Sequence, residues 1–296
     1  MAGLKQFRHS VHSQNGEDGI LAEVFRRIGI TNGTFCEFGA WDGKHLSNCY
    51  ALYELGWSGF YIEGNSDRFE DLRANVSDER VEPILAYVRT DGDSTLEAIL
   101  ARTRRFQAGQ TSLDLLSIDI DSDDLAVWRS VKTLRPKVVI IEFNPTIPLD
   151  VIYENSPKGA NRGNSARAIY ELALIKNYDF VSVVGANMIF VDRHVDHNIP
   201  ALNILDTSIE WGARYFFGYD GTMLIASPGT QSVRETEVIG VPWAGGAFVQ
   251  PVPRMFRTYD LPAPKRLFWI YVSYVRAMLT SPISTLKAVI GRMQQP

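Results

Sequence analysis

Apolar residues recur along this chain in two alternating rhythms. After Ser13, the stretch GEDGILAEVFRRIG places Ile20, Leu21, Val24, Phe25 and Ile28 at helical spacing, with Gly29 as a stop. Thr34 to Phe38 is then a short apolar run that reads as a strand, Ser47 to Leu55 a helix closed by Gly56, and Trp57 to Glu63 a second strand. The alternation continues with a helix over Ser66 to Asn75, a strand over Val81 to Val88 and a helix over Ser94 to Phe106. A strand over Leu113 to Asp121, a helix over Asp124 to Leu134 and a strand over Lys137 to Phe143 complete the run. Near-continuous apolar strands separated by helices predict a doubly wound α/β fold, with a mostly parallel sheet covered on both faces.

Beyond Phe143 the rhythm breaks. Residues 144–164 are rich in Pro, Asn and Gly and are long for a connection in a compact domain, as lids are. A helix over Ala166 to Lys176 leads to DFVSVVG and, across Gly185 and Ala186, to NMIFVDR. So short a link predicts a hairpin, which puts an antiparallel strand at the end of the parallel sheet. An irregular, aromatic-rich insert over 194–221 and one more short strand over Thr222 to Ala226 follow. The expected organisation is therefore an N-terminal segment and helix over 1–33, a core domain over 34–230, and a Pro-punctuated basic tail over 231–296.

Composition narrows the function classes. A 45% hydrophobic chain of 296 residues can bury a full core. A net charge of −4 argues against nucleic acid as partner, since phosphate contacts need a basic surface. Two cysteines, Cys36 and Cys49, make neither a disulfide framework nor a thiolate metal site. The first residues lack a signal-peptide core, and no apolar run approaches the roughly 20 residues of a membrane span, so a cytoplasmic protein is expected. The C-terminal stretch is different: from Arg254 onward seven basic residues face one acid, Asp260, a local charge of +6 that leaves −10 on the remainder.

The candidate chemistry begins at FCEFGAWDGKHLSN, Phe35 to Asn48, where a strand runs through an acid and two glycines toward a helix. Gly39 and Gly43 permit a tight turn and close approach of a nucleotide-type cofactor. With Glu37 before the glycines and Glu63 at the end of the second strand, this resembles the Rossmann-like S-adenosylmethionine-dependent methyltransferases. A carboxylate at the position of Glu63 can accept both hydroxyls of a ribose. A dehydrogenase would want the same acid, yet the loop reads G-A-W-D-G rather than G-x-G-x-x-G. Asp42 would repel a pyrophosphate; it either accepts a bond from the ammonium of a methionine moiety or caps its own turn. Asp91, past the third strand, is a candidate for the adenine amino group, with a plain loop role as the competing reading.

More specifically, the chain resembles the FkbM-type methyltransferases. The matching pieces are SQNGEDGIL at Ser13 to Leu21, EFGAWDG and LSN in the loop, GWSGFYIEGN, LLSIDIDSDD, RPKVVIIEFN at Arg135 to Asn144, and VVGANMIFV at Val183 to Val191. The likeness covers residues 13–193, with Ser122 where relatives carry glycine. It implies a methyl donor around Glu37, Gly39, Asp42, Gly43, Glu63, Asp91 and Asp119, and methyl transfer to an oxygen, with a sugar, glycan or glycolipid as acceptor.

Strand alternation puts Asp119 and Asp121 on one side of the fourth strand, and Glu142 and Asn144 on one side of the fifth. In a doubly wound sheet these ends face the ligand crevice. Asp119, Asp121 and Glu142 are the catalytic candidates. Clustered carboxylates ask for a cation, so Asp121, Glu142 and Asn144 are candidate ligands of Mg²⁺, similar to the site of catechol-type O-methyltransferases. The competing reading shares one acid with the cofactor and satisfies the others by hydrogen bonds.

His45 could act as a base near the crevice or sit as a neutral surface group, and His194 and His197 have HxxH spacing beyond the hairpin. Residues 265–279 form a basic, aromatic, amphipathic stretch that either lies at the inner face of a membrane or packs on the domain or across a homo-oligomer. The functions left in competition are the methyltransferase, a nicotinamide-dependent sugar oxidoreductase, and a non-catalytic glycan or membrane-docking module.

Overall fold

Helix starts in this chain are set by side chains that catch free amides. Ahead of α3 (Ser66–Asn75) the Asn65 side chain accepts from the Asp67 and Arg68 amides, and Ser165 caps α6 (Ala166–Ile175) through the Ala168 amide. In α1 (Glu17–Arg27) the acids Glu17 and Asp18 open the helix and Arg26 and Arg27 close it, matching the helix dipole. Its buried face carries Ile20, Leu21, Val24 and Phe25, and Phe25 meets Trp57 edge-on with ring centroids 4.5 Å apart. Ahead of α1, one oxygen of Asp18 accepts the amides of Val11, His12 and Ser13 together with the Ser13 hydroxyl.

The computed structural model describes residues 3–106, 112–120, 123–145, 147, 149–155, 163–206, 209, 214–217 and 223–226, and Phe268, Tyr271, Val272, Val275, Met278 and Leu279. They divide into one unit of Met1–Asn144 with Ile152–Trp211, and another of Pro145–Val151 with Gly212–Pro296.

The first unit is built on a seven-stranded sheet. Its strands are β1 (Thr34–Phe38), β2 (Ser58–Glu63), β3 (Val81–Leu85), β4 (Leu115–Ile118), β5 (Val138–Glu142), β6 (Tyr178–Val184) and β7 (Asn187–Asp192), in the spatial order β3-β2-β1-β4-β5-β7-β6. The first five pair in parallel, and β7 runs antiparallel to both β5 and β6. The doubly wound, mostly parallel α/β fold expected from the sequence is thus the observed one. The antiparallel strand lies one position in from the edge, because β7 folds back across the Gly185-Ala186 turn to fill the place beside β5, leaving β6 outermost. Every residue of β4 and β7 is buried, as a sheet covered on both faces requires.

Three helices are shorter than their periodicity predicts, each for a visible reason. The helix α2 is confined to Tyr50–Glu54 because Ser47 and Asn48 are engaged elsewhere. In α4 (Leu96–Leu100) the Thr103 hydroxyl takes the Leu100 carbonyl at 2.7 Å and ends the run. The helix α5 stops at Ser130 (Asp124–Ser130) because one oxygen of Glu97, on α4, captures the amides of Lys132, Thr133 and Leu134 and draws the chain out of the helix.

In the second unit β8 (Arg214–Phe217) and β9 (Met223–Ala226) pair antiparallel. The β9 strand was expected; β8 falls in the insert read as irregular, where RYFF is a run of strand-forming types too short to stand out. Most of the basic tail lies outside the described residues.

An acid-sensitive contact follows from α1. Glu23 is 6% exposed and binds Arg26 at 2.7 and 2.8 Å and Arg27 at 2.7 Å. The Arg26 hydrogen bond, ahead of the opposing effect of burial, lowers its pKa to about 2. Folding therefore favours the ionised form: the stabilisation is present above the ordinary carboxylate range and fades as pH falls from about 4.5 toward about 2. Urea midpoints measured across this range should fall with pH, and Glu23→Gln should flatten that fall. An unchanged pH profile in the variant would contradict the assignment.

Candidate active site

Strand register brings the predicted acids to one edge. Phe38 pairs with Ile62 and Ile118, and Ile118 with Ile141, so the next residues, Glu63, Gly39, Asp119 and Glu142, form one row across the C-terminal ends of β2, β1, β4 and β5. Asn187 of β7 pairs with Glu142 and extends the row. This is the edge where ligands bind in open α/β sheets.

The loop after β1 is shaped by close approach. Gly39 has φ +78°, and a Cβ there would sit inside the Asp119 carbonyl oxygen, so only glycine lets the loop lie against the end of β4. Its amides are spent within the fold. Gly39 and Ala40 donate to the Ile62 carbonyl, Gly43 to Ala40, and Trp41 to Glu63 at 2.8 Å. Lys44 and His45 donate to Asp42 at 2.9 and 2.7 Å, so Asp42 caps its own turn. Gly43 rests against Leu72 of α3. Trp41 keeps a left-handed backbone, φ 51°, and its ring lies 4.5 Å from the Arg68 guanidinium.

A cleft of about 370 Å³ opens beside this loop, lined by Gly39, Trp41, Ile62, Glu63, Asp119 and Ile120. Arg68, the segment Ala86 to Arg89, and Asp123 close its other sides. Glu63 is half-buried; one oxygen accepts from Trp41 and the other from the Asn65 amide at 2.7 Å. Trp41 and Tyr87 both present exposed rings, and two cations stand with three acids, a lining suited to a zwitterion bearing a flat heterocycle.

Glu37 lies behind the loop rather than in the cleft. At 4% exposure it accepts from the Ser47 hydroxyl at 2.6 Å, the Asn48 amide at 3.0 Å and the Ser117 hydroxyl at 3.3 Å. Burial raises its pKa, against these hydrogen bonds. Its place is structural: it pins LSN to β1 and β4. The segment Ser13 to Asp18 continues this tie, since Ser13 bridges Leu46, Asn15 packs on Gly185, and Glu17 accepts from Asn187 at 3.0 Å. The SQNGEDG stretch therefore straps the loop to the β6–β7 turn.

Of the predicted site residues, Gly39, Glu63 and Asp119 share the cleft. Asp42 and Gly43 belong to its loop, and Asp91 sits exposed at the start of a short 3-10 turn away from the lining. Glu142 falls in the row beside Asp119. Because β4 ends at Ile118 and β5 at Glu142, strand alternation does not govern Asp121 or Asn144. Asp121 lies outside the described residues; the Asn144 amide bonds the Asn164 carbonyl at 2.8 Å, closing the stem of the 144–164 loop. Asn155 of that stem reaches Asp123 in the cleft wall at 3.3 Å. Among the described residues no group of three or more His, Cys, Asp or Glu could hold a metal ion. His194 and His197 serve different carboxylates, Asp192 and Asp179. Sequence reasoning missed Arg68, Tyr87, Arg89 and Asp123; the available signal was their position just past the strand ends that face the crevice.

No protein-family model and no curated protein matches the chain. Solved structures do. A TehB-like SAM-dependent methyltransferase from Corynebacterium glutamicum is 11% identical, with TM-score 0.35 over 58% of this chain and 86% of that one. TrmK of M. capricolum, in complex with S-adenosyl-homocysteine, is 12% identical, with TM-score 0.36 over 62% and 73%. TehB from Haemophilus influenzae is 11% identical, with TM-score 0.37 over 59% and 62%. Identities and scores this low carry no inference about cofactor or substrate.

The collision at Gly39 can be separated from backbone strain. Gly92 also has a left-handed backbone, φ +61°, but open space around its Cα. Gly92→Ala should cost only the strain, about 1–2 kcal/mol. Gly39→Ala should cost that plus the overlap with Asp119, measured as a larger drop in urea midpoint. Equal drops would show that the loop does not press on β4.

Proposed function

We propose that this chain is an S-adenosylmethionine-dependent O-methyltransferase whose acceptor is a hydroxyl of a sugar, glycan or glycolipid. The observation that carries the proposal is how the loop after β1 disposes of its amides. A dinucleotide site needs free N–H groups for a pyrophosphate. Here the amides of residues 39–41 and 43–45 are already taken by Ile62, Glu63, Ala40 and Asp42. The antiparallel β7 between β5 and β6 also departs from the dinucleotide order 3-2-1-4-5-6.

Glu63 remains equipped for a ribose. An ionised carboxylate offers about four lone-pair sites, and two are used by Trp41 and Asn65. Two remain, one for each hydroxyl of a ribose diol. Trp41 and Tyr87 supply faces for an adenine, and the carboxylates of Asp119 and Glu142 at the strand ends supply acceptors for a polyhydroxylated substrate.

In the proposed reaction an acceptor oxygen attacks the methyl carbon in line with sulfur. The O–CH₃ bond forms as the S–CH₃ bond breaks, and its electron pair returns to the sulfonium, leaving S-adenosylhomocysteine. The hydroxyl proton passes to a carboxylate of Asp119 or Glu142 and then to water. Positioning does most of the work. Asp121 lies outside the described residues, and the Mg²⁺ expected on Asp121, Glu142 and Asn144 stays part of the proposal: bound there it would lower the pKa of the acceptor hydroxyl. Excess chelator should then abolish turnover, and unchanged turnover would rule the metal role out.

Titration calorimetry separates the classes. S-adenosylmethionine should bind and NAD should not. Glu63→Gln, which keeps one acceptor of a charged pair, should weaken binding by roughly tenfold to a hundredfold, the value of one or two charge-assisted hydrogen bonds. Glu142→Gln should leave that affinity within about twofold while turnover collapses. Binding of NAD without S-adenosylmethionine would overturn the proposal in favour of an oxidoreductase.

A further inference from the structure

Six described residues near the C-terminus, Phe268, Tyr271, Val272, Val275, Met278 and Leu279, are helical. At about 100° per residue they fall within roughly a 120° arc, so they share one face. Every one is apolar or aromatic, and the face is open to solvent: Tyr271 is 69% exposed and Leu279 80%, with Val275 and Met278 also exposed. A continuous apolar stripe of this kind marks a surface that meets something other than water.

Charge indicates what that is. From Arg254 to the end the chain carries Arg254, Arg257, Lys265, Arg266, Arg276, Lys287 and Arg292 against Asp260, whereas the rest of the molecule is net acidic by −10. A second copy of this chain would set a segment of charge +6 against another of the same sign. An anionic lipid surface matches both properties at once. Its headgroups complement the basic residues, and its acyl boundary accepts Phe268, Tyr271, Met278 and Leu279. No helix among the described residues is long and apolar enough to cross a membrane, so the contact would be interfacial.

We infer that the helix carrying Phe268 to Leu279 docks the protein on anionic membrane surfaces, its apolar stripe entering the interface and its basic residues contacting phosphate headgroups. This inference does not rest on methyl transfer. If the acceptor is a glycolipid, the same helix would bring the enzyme to it.

The test is sedimentation of the full chain with vesicles of phosphatidylcholine alone and with phosphatidylglycerol admixed. The anionic vesicles should carry the protein down and the neutral ones should not, and added salt should release it. Lys265→Gln and Arg276→Gln, which flank the stripe at about 100° per residue, should each weaken partitioning by about fivefold. The double variant Tyr271→Asp with Leu279→Asp should abolish it while the thermal midpoint by circular dichroism stays unchanged. Failure to bind anionic vesicles, or equal binding to neutral ones, would overturn the inference. So would a wild-type dimer in light scattering that the double variant converts to monomer, which would make the stripe an interface between copies.

Discussion

A carboxylate without access to water is costly unless donors surround it, and Glu37 is the point where this chain meets that cost. Donors come from the adjacent Ser47 and Asn48 and from the distant Ser117, two separate parts of the sequence. By satisfying Glu37 they hold the segment after the glycine loop against β1 and β4. Without that anchor the loop would have no reason to lie where Gly39 touches Asp119, and the cleft between Trp41, Glu63 and Asp119 would lose its wall. The acid next to the glycines thus acts on the cleft by fixing the loop's position.

The loop's amides at residues 39–41 and 43–45 close on Ile62, Glu63, Ala40 and Asp42, and those N–H groups are not available to a diphosphate. What faces the cleft is side-chain chemistry: a half-satisfied carboxylate, two aromatic rings, and acids balanced by Arg68 and Arg89. The Ser13–Asp18 strap reinforces the arrangement from the other side, joining Leu46 to the β6–β7 turn through Ser13, Asn15 and Glu17.

Much of this was legible in the sequence, and the rest was hidden for physical reasons. The apolar strands and the helices between them follow from periodicity, and with them the edge on which Glu63, Asp119 and Glu142 gather. The end of α5 was not legible, because it is set by Glu97, a residue on another helix whose carboxylate outcompetes the helical bonds of Lys132 to Leu134. The burial of Glu37 was hidden in the same way: its donors are up to 80 residues distant along the chain. Glu63 could be placed from its own strand, whereas Tyr87 and Arg68 enter the cleft only once β3 and α3 have packed beside β2. Asp121 and Asn144 were assigned by extending strand alternation past the points where β4 and β5 end.

On the proposed function, Glu63 receives the ribose of S-adenosylmethionine or its product beside the Gly39–Trp41 loop. A structure determined with S-adenosylhomocysteine should show both ribose hydroxyls within hydrogen-bond distance of Glu63, with the sulfur directed toward Asp119 and Glu142. A ligand bound with no contact to Glu63, or a ribose held elsewhere along the sheet edge, would contradict it.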